Sequence, residues 1–436
     1  MMKKAWYKYL IIGSVVFLAI VAIIFVIDKK NKTRITNSDK NLQVSGDNIQ
    51  KADSKAPVIT LIGSPEITIE AGTDYEDSGC MAVDEADGDI SEKVTKDKLV
   101  DSDVTGDVKI IYSVKNSAGI EVHTERIVHV VDTTAPDINL IDGTTYYIKN
   151  GTQYCEPGYE AEDSCDGNLT SKVKVSGNVD TQTDGKYTLT YEVEDAAGNK
   201  TSVERCVRVY SPMPDNTVNP GNKVVYLTFD DGPGKYTQRL LDVLDKYNVK
   251  ATFFVTNGKP AYQNLIGKEA ADGHTVAIHS ASHEYSKIYQ SLDAYFEDFD
   301  EMNDIIQQQT GEKTDLLRFP GGSSNTVSAT YCYGIMSQLV CAVEAKGLRY
   351  CDWNVSSGDA GEVNSSSQVV NNVINGIKAN NVSVVLQHDT REFSVDAVEE
   401  IIQWGLSEEY TFLPITDTTP MSHHKVNNCL LYTSPS

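Results

Sequence analysis

Three rhythms of apolar and polar residues divide the chain. Residues 9–27 form one uncharged run rich in Ile, Val and Phe, with Lys3, Lys4 and Lys8 before it and Asp28-Lys29-Lys30 after it. That run is just long enough to cross a bilayer as a helix, and no small-residue cleavage site follows it. The expectation is a cytoplasmic tail at 1–8 and an uncleaved transmembrane anchor at 9–27. Residues 28–55 are polar and without aromatic side chains, which reads as a flexible linker. The second rhythm is strict alternation, as in Val108-Lys109-Ile110-Ile111-Tyr112 and Tyr187-Thr188-Leu189-Thr190-Tyr191. That is the period of half-buried strands, here punctuated by Asp-Gly and Ala-Gly turns. The third begins after the Pro/Gly/Asn linker at 211–222. Continuous apolar runs such as Val224-Val225-Tyr226-Leu227 alternate with helical stretches such as Leu240, Leu241 and Leu244, the pattern of a parallel sheet clothed in helices.

The alternating region is an internal repeat. Ala56-Pro57-Val58-Ile59 returns as Ala135-Pro136-Asp137-Ile138, 79 residues on, and the same offset carries Asp87-Gly88-Asp89 onto Asp166-Gly167-Asn168. Two β-sandwiches are expected, at 56–132 and 133–210, resembling bacterial immunoglobulin-like modules. Asp84, Glu85, Asp87 and Asp89 lack the ligand spacing of a calcium loop and read as a solvated turn. His123 and His129 have no evident carboxylate partner. The net charge of −24 and pI near 4.7 argue against binding a nucleic-acid backbone. The cysteines form no CxxC pair, and their connectivity is left open.

Chemistry collects where strands end. Leu227-Thr228-Phe229-Asp230-Asp231-Gly232-Pro233 delivers two carboxylates at the end of a buried run, just before a turn. Like charges side by side call for a cation, and a divalent metal bound by one Asp leaves the other free as a base. His279-Ser280-Ala281-Ser282-His283 adds two imidazoles four residues apart, Arg318-Phe319-Pro320-Gly321-Gly322 a fixed cation and a Gly-rich backbone, and Leu386-Gln387-His388 a third imidazole. These four motifs, in this order over 223–420, resemble the polysaccharide deacetylases of the NodB-homology group, carbohydrate esterase family four. The resemblance implies a distorted (β/α) barrel with fewer than eight repeats, giving a multidomain chain of two sandwiches and one α/β barrel.

Asp231, His279 and His283 fit metal ligands, matching the positions the family uses; zinc is expected first, with cobalt, nickel or manganese open. Asp230 fits the general base and Arg318 the residue that orients it. The backbone N–H near Gly321 can hold an oxyanion, the resemblance makes Leu386 a wall of the acetyl pocket, and His388 fits the general acid. The resemblance makes Asp359 the partner of His388. It also implies a Trp after that Asp, where this chain has Ala360, and Trp353 is not at the matching place. Gln387 stands where the family often has an apolar residue. Tyr285 and Tyr289 fit either sugar stacking or packing beside a helix. His274 reads as structural, and the tail at 421–436, including His423 and His424, is given no role and set apart as non-native in part.

The expected activity is metal-dependent hydrolysis of N-acetyl groups, a carbon–nitrogen bond other than a peptide bond, on an extracytoplasmic cell-wall polysaccharide. Peptidoglycan N-acetylglucosamine comes first. Chitin oligomers, poly-N-acetylglucosamine and acetylated xylan stay open, as does a wall-binding adhesive protein with an inactive NodB-like domain. The expected location is the cell membrane, single-pass, with the catalytic domain outside.

Overall fold

The computed structural model describes residues 55–428. The tail at 1–8, the anchor at 9–27, nearly all of the 28–55 linker and residues 429–436 lie outside them. Among the described residues no helix is long and apolar enough to cross a membrane. The described chain divides into two compact units. One takes the residues up to Thr60 with Cys80–Thr95 and Ser113–Thr124; the other takes Leu61–Gly79, Lys96–Tyr112 and everything from Glu125 on.

Each repeat forms a three-stranded and a four-stranded sheet. In the second, the small sheet runs Asp137–Leu140, Tyr159–Asp163 and Gly167–Asn168, and the large one Thr145–Lys149, Lys174–Ser176, Gly185–Glu194 and Lys200–Tyr210. Ile138, Leu140 and Ala161 from the first meet Tyr146, Ile148, Tyr191, Val207 and Val209 from the other in one core, which is the alternation of the sequence turned into a sandwich. The repeats share a buried polar knot that the sequence reading does not name. Arg126 is fully buried and pairs with Asp77, which also accepts from Tyr112 Oη at 2.6 Å. In the second repeat Arg205, Glu156 and Tyr191 do the same. His129 does have a carboxylate partner, Asp107, at 2.6 Å. Cys155, Cys165, Cys206, Cys332, Cys341 and Cys351 form no disulfide.

The region after residue 222 is built on one parallel sheet of β1 (Val224–Asp230), β2 (Thr252–Thr256), β3 (Thr275–Ser280), β4 (Leu316–Leu317), β5 (Arg349–Tyr350), β6 (Val355–Ser356), β7 (Val382–His388) and β8 (Thr411–Phe412). Its order is β5-β4-β3-β2-β1-β7-β6, with β8 beside the start of β1. This is the expected distorted barrel. Helices α1 (Thr237–Lys246), α2 (Asn264–Ala271), α3 (Tyr285–Ile288), α4 (Leu292–Thr310), α5 (Ile335–Ala345), α6 (Ser366–Lys378) and α7 (Glu392–Ser407) connect the strands. The sequence reading stops at His388 and omits α7, although Val395, Val398, Ile401 and Ile402 are buried at helical spacing. α5 begins only at Ile335. Gly334 at φ 82 precedes the helix, and a short 3-10 turn takes Val327–Thr330.

Alternation sorts the strand residues into two layers. Val225, Leu227, Phe229, Phe253, Val255, Ile278 and Val385 pack against the helices. Val224, Tyr226, Phe254, Ala277, Leu316, Cys351 and Val384 meet one another on the other face. Period two therefore carries Asp230, Leu386 and His388 onto the inner face of the barrel and Gln387 onto the outer. There Gln387 Nε2 donates to Ser394 of α7 at 3.1 Å, so its polarity serves the helix layer, away from the pocket.

Within the larger unit the second repeat packs on α5. Tyr147 N–H donates to Gln338 Oε1 at 2.9 Å, Tyr210 Oη donates to Glu344 at 3.1 Å, and Tyr147, Tyr210 and Ala342 share an apolar cluster.

The described part of the tail, up to residue 428, has contacts that the sequence reading does not name. His423 stacks on Tyr350 with ring centroids 4.0 Å apart, and His424 N–H donates to Asp352 Oδ2 at 2.8 Å. Asn428 is buried; its Oδ1 accepts from Gly334 N–H at 2.6 Å and its Nδ2 donates to Ser328 Oγ at 2.8 Å. A tail without apolar periodicity gives no sequence signal for such docking, because polar side chains hold it. Asn428→Ala should cost about 1–3 kcal/mol, since it strands the buried Gly334 N–H. Urea unfolding should show a lower midpoint at unchanged slope; an unchanged midpoint would mean the tail is not docked.

Candidate active site

β1 and β7 are paired in register, Asp230 beside His388, so two distant motifs meet at one strand end. Asp230 is buried, and its Oδ1 accepts from Arg318 Nη1 at 2.7 Å. Arg318 has no exposed surface and donates four hydrogen bonds. Nη1 also donates to Thr228 Oγ1 at 2.7 Å, Nε to the Cys351 carbonyl at 2.8 Å and Nη2 to the Asp352 carbonyl at 3.1 Å. Its guanidinium also lies 4.0 Å from the Phe254 ring centroid. A buried cation paired in this way fixes one oxygen of Asp230 in place. Asp230 Oδ2 faces His279 Nε2 at 3.9 Å.

Asp231 turns away from the strand at φ 69, a left-handed value that Asp tolerates better than most residues. The next residue must be small: a Cβ on Gly232 would overlap the Asp389 carboxylate. Asp231 Oδ1 is 3.6 Å from His279 Nε2 and 3.3 Å from His283 Nε2, and donor atoms of the three residues lie within 4.8 Å of one another. His279 Nδ1 donates to the Arg318 carbonyl at 2.8 Å, leaving Nε2 as the lone-pair face. Burial pushes the His279 pKa down and keeps the ring neutral, despite the carboxylates of Asp230 and Asp231. Burial opposes charge on Asp231, but His279, His388 and His283 more than offset it and lower its pKa. Asp231 Oδ1 is a buried acceptor with no hydrogen-bond partner. Two imidazole nitrogens and an orphaned carboxylate oxygen fit a divalent cation.

Sequence reasoning missed what shapes the second ligand. Asp298, buried on α4, accepts from Ser280 Oγ at 2.5 Å, Ala281 N–H at 2.8 Å, Ser282 N–H at 2.9 Å and Ser282 Oγ at 2.6 Å. Ser280 Oγ in turn accepts His283 N–H at 2.8 Å, and His283 sits at φ 54. One carboxylate thus folds the whole His-Ser-Ala-Ser-His loop.

On the other side Asp359 holds His388 twice: Oδ1 takes Nδ1 at 2.7 Å and Oδ2 takes the backbone N–H at 2.7 Å. Burial works against charge on His388, but the hydrogen bond and charge of Asp359 outweigh it and raise the pKa to about 9. His388 Nε2 points into the site, 3.9 Å from Asp231 Oδ2.

The remaining residues divide between wall and scaffold. Gly321 sits at φ 77, and a Cβ there would lie 2.6 Å from Tyr285 Oη. Tyr285 stands beside His283, with ring centroids 5.7 Å apart, while Tyr289 is buried and donates to the Pro320 carbonyl at 2.7 Å. Leu386 is buried at the inner face, and Ala360 is exposed and builds no wall. Trp353 lies under the Gly-rich turn, where a Cβ on Gly322 would be 2.9 Å from its ring. His274 accepts Ala251 N–H on Nδ1 at 3.1 Å, and burial drives its pKa down to about 4; it is a neutral structural histidine.

Comparison with known proteins bears on both halves. The family described as "Polysaccharide deacetylase" matches residues 217–333, and "Bacterial surface protein, Ig-like domain" matches 59–130 and 138–209. YheN of Bacillus subtilis, which carries the first family's name, is 32% identical over 212 residues, 47% of this chain and 71% of that protein. A peptidoglycan-N-acetylglucosamine deacetylase of Bacillus cereus is 34% identical over 194 residues, 43% of this chain and 67% of that one. Among solved structures, the catalytic domain of a peptidoglycan N-acetylglucosamine deacetylase from Eubacterium rectale is 69% identical and covers 49% of this chain and 97% of its own, with a TM-score of 0.48.

Proposed function

The chain belongs to the polysaccharide deacetylase family, and from that premise we propose that it removes acetyl groups from the N-acetylglucosamine of peptidoglycan in a metal-dependent hydrolysis. The observation that carries this reading is the meeting, at one strand end, of a three-donor cation site, a clamped carboxylate and a carboxylate-paired imidazole. Asp231, His279 and His283 would hold the cation, with zinc the first candidate. When bound, it supplies a Lewis acid beside the amide carbonyl.

The chain's own groups do the rest. Asp230, one oxygen tied to Arg318, has its other oxygen free to take a proton from the attacking water. A backbone N–H near Gly321 would meet the oxyanion, and Leu386 would border the acetyl group. His388 Nε2 gives its proton to the departing amine. The C–N bond breaks, and acetate and a free glucosamine amine leave. The sandwiches at 56–132 and 133–210 contribute no reacting group. We place the protein in the cell membrane through 9–27, with the barrel outside.

The test is mass spectrometry of wall fragments incubated with the purified chain, against an acetylated xylan and chitin oligomers. Loss of one acetyl mass per glucosamine in the wall fragments is expected. Acetate release only from xylan or chitin would replace the substrate, and none from any glycan would leave a binding module.

The His388 pairing predicts a pH effect. His388 acts while protonated, so turnover persists below its pKa and falls as pH rises through about 9. Asp359→Asn removes the negative partner, and burial then drives the pKa down, toward or below the ordinary value of about 6.5. The falling limb of kcat against pH should move to lower pH by about two units or more. An unmoved or raised limb would separate His388 from the acid role.

A further inference from the structure

The two repeats differ at a place where their symmetry should hold. At the tip of the first, Asp84 Oδ1 accepts the N–H groups of Ala86 and Asp87 at 2.8 and 2.9 Å, and Oδ2 accepts the Asn116 amide at 3.0 Å. Both Asp84 oxygens are satisfied there by neutral donors. At the same offset in the second repeat stand Asp163 and Asp195. Asp163 Oδ1 takes the matching pair, the N–H groups of Cys165 and Asp166, each at 2.8 Å. Asp195 has no proton to give where Asn116 gave one, and Asp163 Oδ2 is a buried acceptor with no partner.

A third carboxylate joins them. Asp132 comes from the connection that follows strand Glu121–Val131, and one oxygen from each of Asp132, Asp163 and Asp195 lies within 4.8 Å of the others. Asp163 is 8% exposed and Asp195 7%. Among the described residues none of the three is ion-paired to a Lys, Arg or His. Carboxylates this close and this buried repel unless a cation lies between them. Asp195 cannot turn away: Gly198 and Asn199 N–H hold its Oδ1 at 2.7 and 2.8 Å, and the Asn199 amide holds Oδ2 at 2.9 Å. The independent pointer to a ligand is Asp163 Oδ2, an orphaned acceptor in a side chain more than nine-tenths buried, on the atom that meets a donor in the sister repeat.

We propose that Asp132, Asp163 and Asp195 form a calcium site that ties the connection between the repeats to the tip of the second. The donor set is oxygen only, which suits a hard cation and disfavours zinc. Three carboxylates of which one is partly exposed leave room for the water that completes calcium's six to eight oxygens, a looser requirement than magnesium's octahedron. The affinity expected is that of an extracellular module, on the order of 0.1–1 mM.

The experiment uses the full chain, stripped with a chelator, reloaded with stoichiometric zinc to fill the histidine site, and titrated with calcium chloride in a calorimeter. The wild type should show one saturable event in that range, and the same calcium should raise its melting temperature. Asp195→Asn installs the residue that the first repeat carries at this place; it should keep the fold and the zinc while weakening calcium at least tenfold. If that variant fails to fold, Asp132→Asn, outside the strands, carries the same expectation. No calcium uptake by the wild type tenfold above the range, variants that bind as tightly as wild type, or displacement of calcium by equal magnesium would each overturn the site.

Discussion

Asp230→Asn is expected to give a folded, metal-loaded protein whose turnover falls by about 10²–10⁴-fold. The amide can still accept Arg318 Nη1 at the Oδ1 position, where the carboxylate now does at 2.7 Å. It cannot take a proton from water on the other atom. The metal should stay because the donors are its neighbour Asp231 and the two imidazoles. The burial of Arg318 sharpens the test: the cation keeps its hydrogen bonds to Thr228, Cys351 and Asp352, so loss of one formal charge beside it does not release the loop. Initial rates of acetate release, with metal content and circular dichroism on the same samples, would decide. Activity within tenfold of wild type would remove Asp230 from the chemistry, and metal lost together with activity would make it a ligand.

The second large effect is His283→Ala, which should abolish turnover by emptying the cation site while the fold survives. His279 and His283 are both candidate donors, but they differ as test positions. The His279 side chain is 4% exposed and braced by the Arg318 carbonyl, whereas that of His283 is 36% exposed. His279→Ala therefore opens a buried cavity as well as deleting a ligand. His283→Ala deletes the ligand alone. Removing a ligand should exceed the 10–100-fold loss of metal affinity typical of outer-shell changes. Elemental analysis after dialysis should find substoichiometric metal in both variants. Stoichiometric metal in His283→Ala would refute the three-donor assignment.

The local motifs were legible because each packs its chemistry into a few residues at a strand end. Strand-then-turn patterning picked out Asp230-Asp231, Arg318 and His388, spacing picked out His279 with His283, and the order of the motifs, through the family resemblance, placed them together. The sandwiches were legible from a 79-residue self-similarity and its alternation. What escaped lies in contacts between segments far apart in the chain. Asp298 stands among Glu297, Asp300, Glu301 and Asp304 on one helix, and charge does not single it out. Its spacing from Tyr295, Phe299, Met302 and Ile306 puts it on the buried face, a signal that was available and unused. Gln387 was puzzling only until the strand's period placed it against α7. The docked tail and the Asp163–Asp195 pair had no comparable signal, because polar side chains make those contacts and their meaning depends on who faces them.

The packing of the second repeat on α5 has a mechanical consequence. The segment between repeat and barrel is strapped down: Ser211 N–H is held by Asp184 at 2.9 Å, and Val218 N–H by the Thr418 carbonyl at 2.8 Å. With Tyr147 on Gln338 and Tyr210 on Glu344, the module and the enzyme behave as one lever without an elbow. The bearing of the catalytic mouth is then set by the module's axis. On the wall substrate proposed above, an enzyme aimed in this way would meet a fixed polymer at one angle and sample few others, while a free oligosaccharide could tumble into place. Loosening the joint would then leave turnover of dissolved sugars unchanged and alter which strands of that polymer are trimmed.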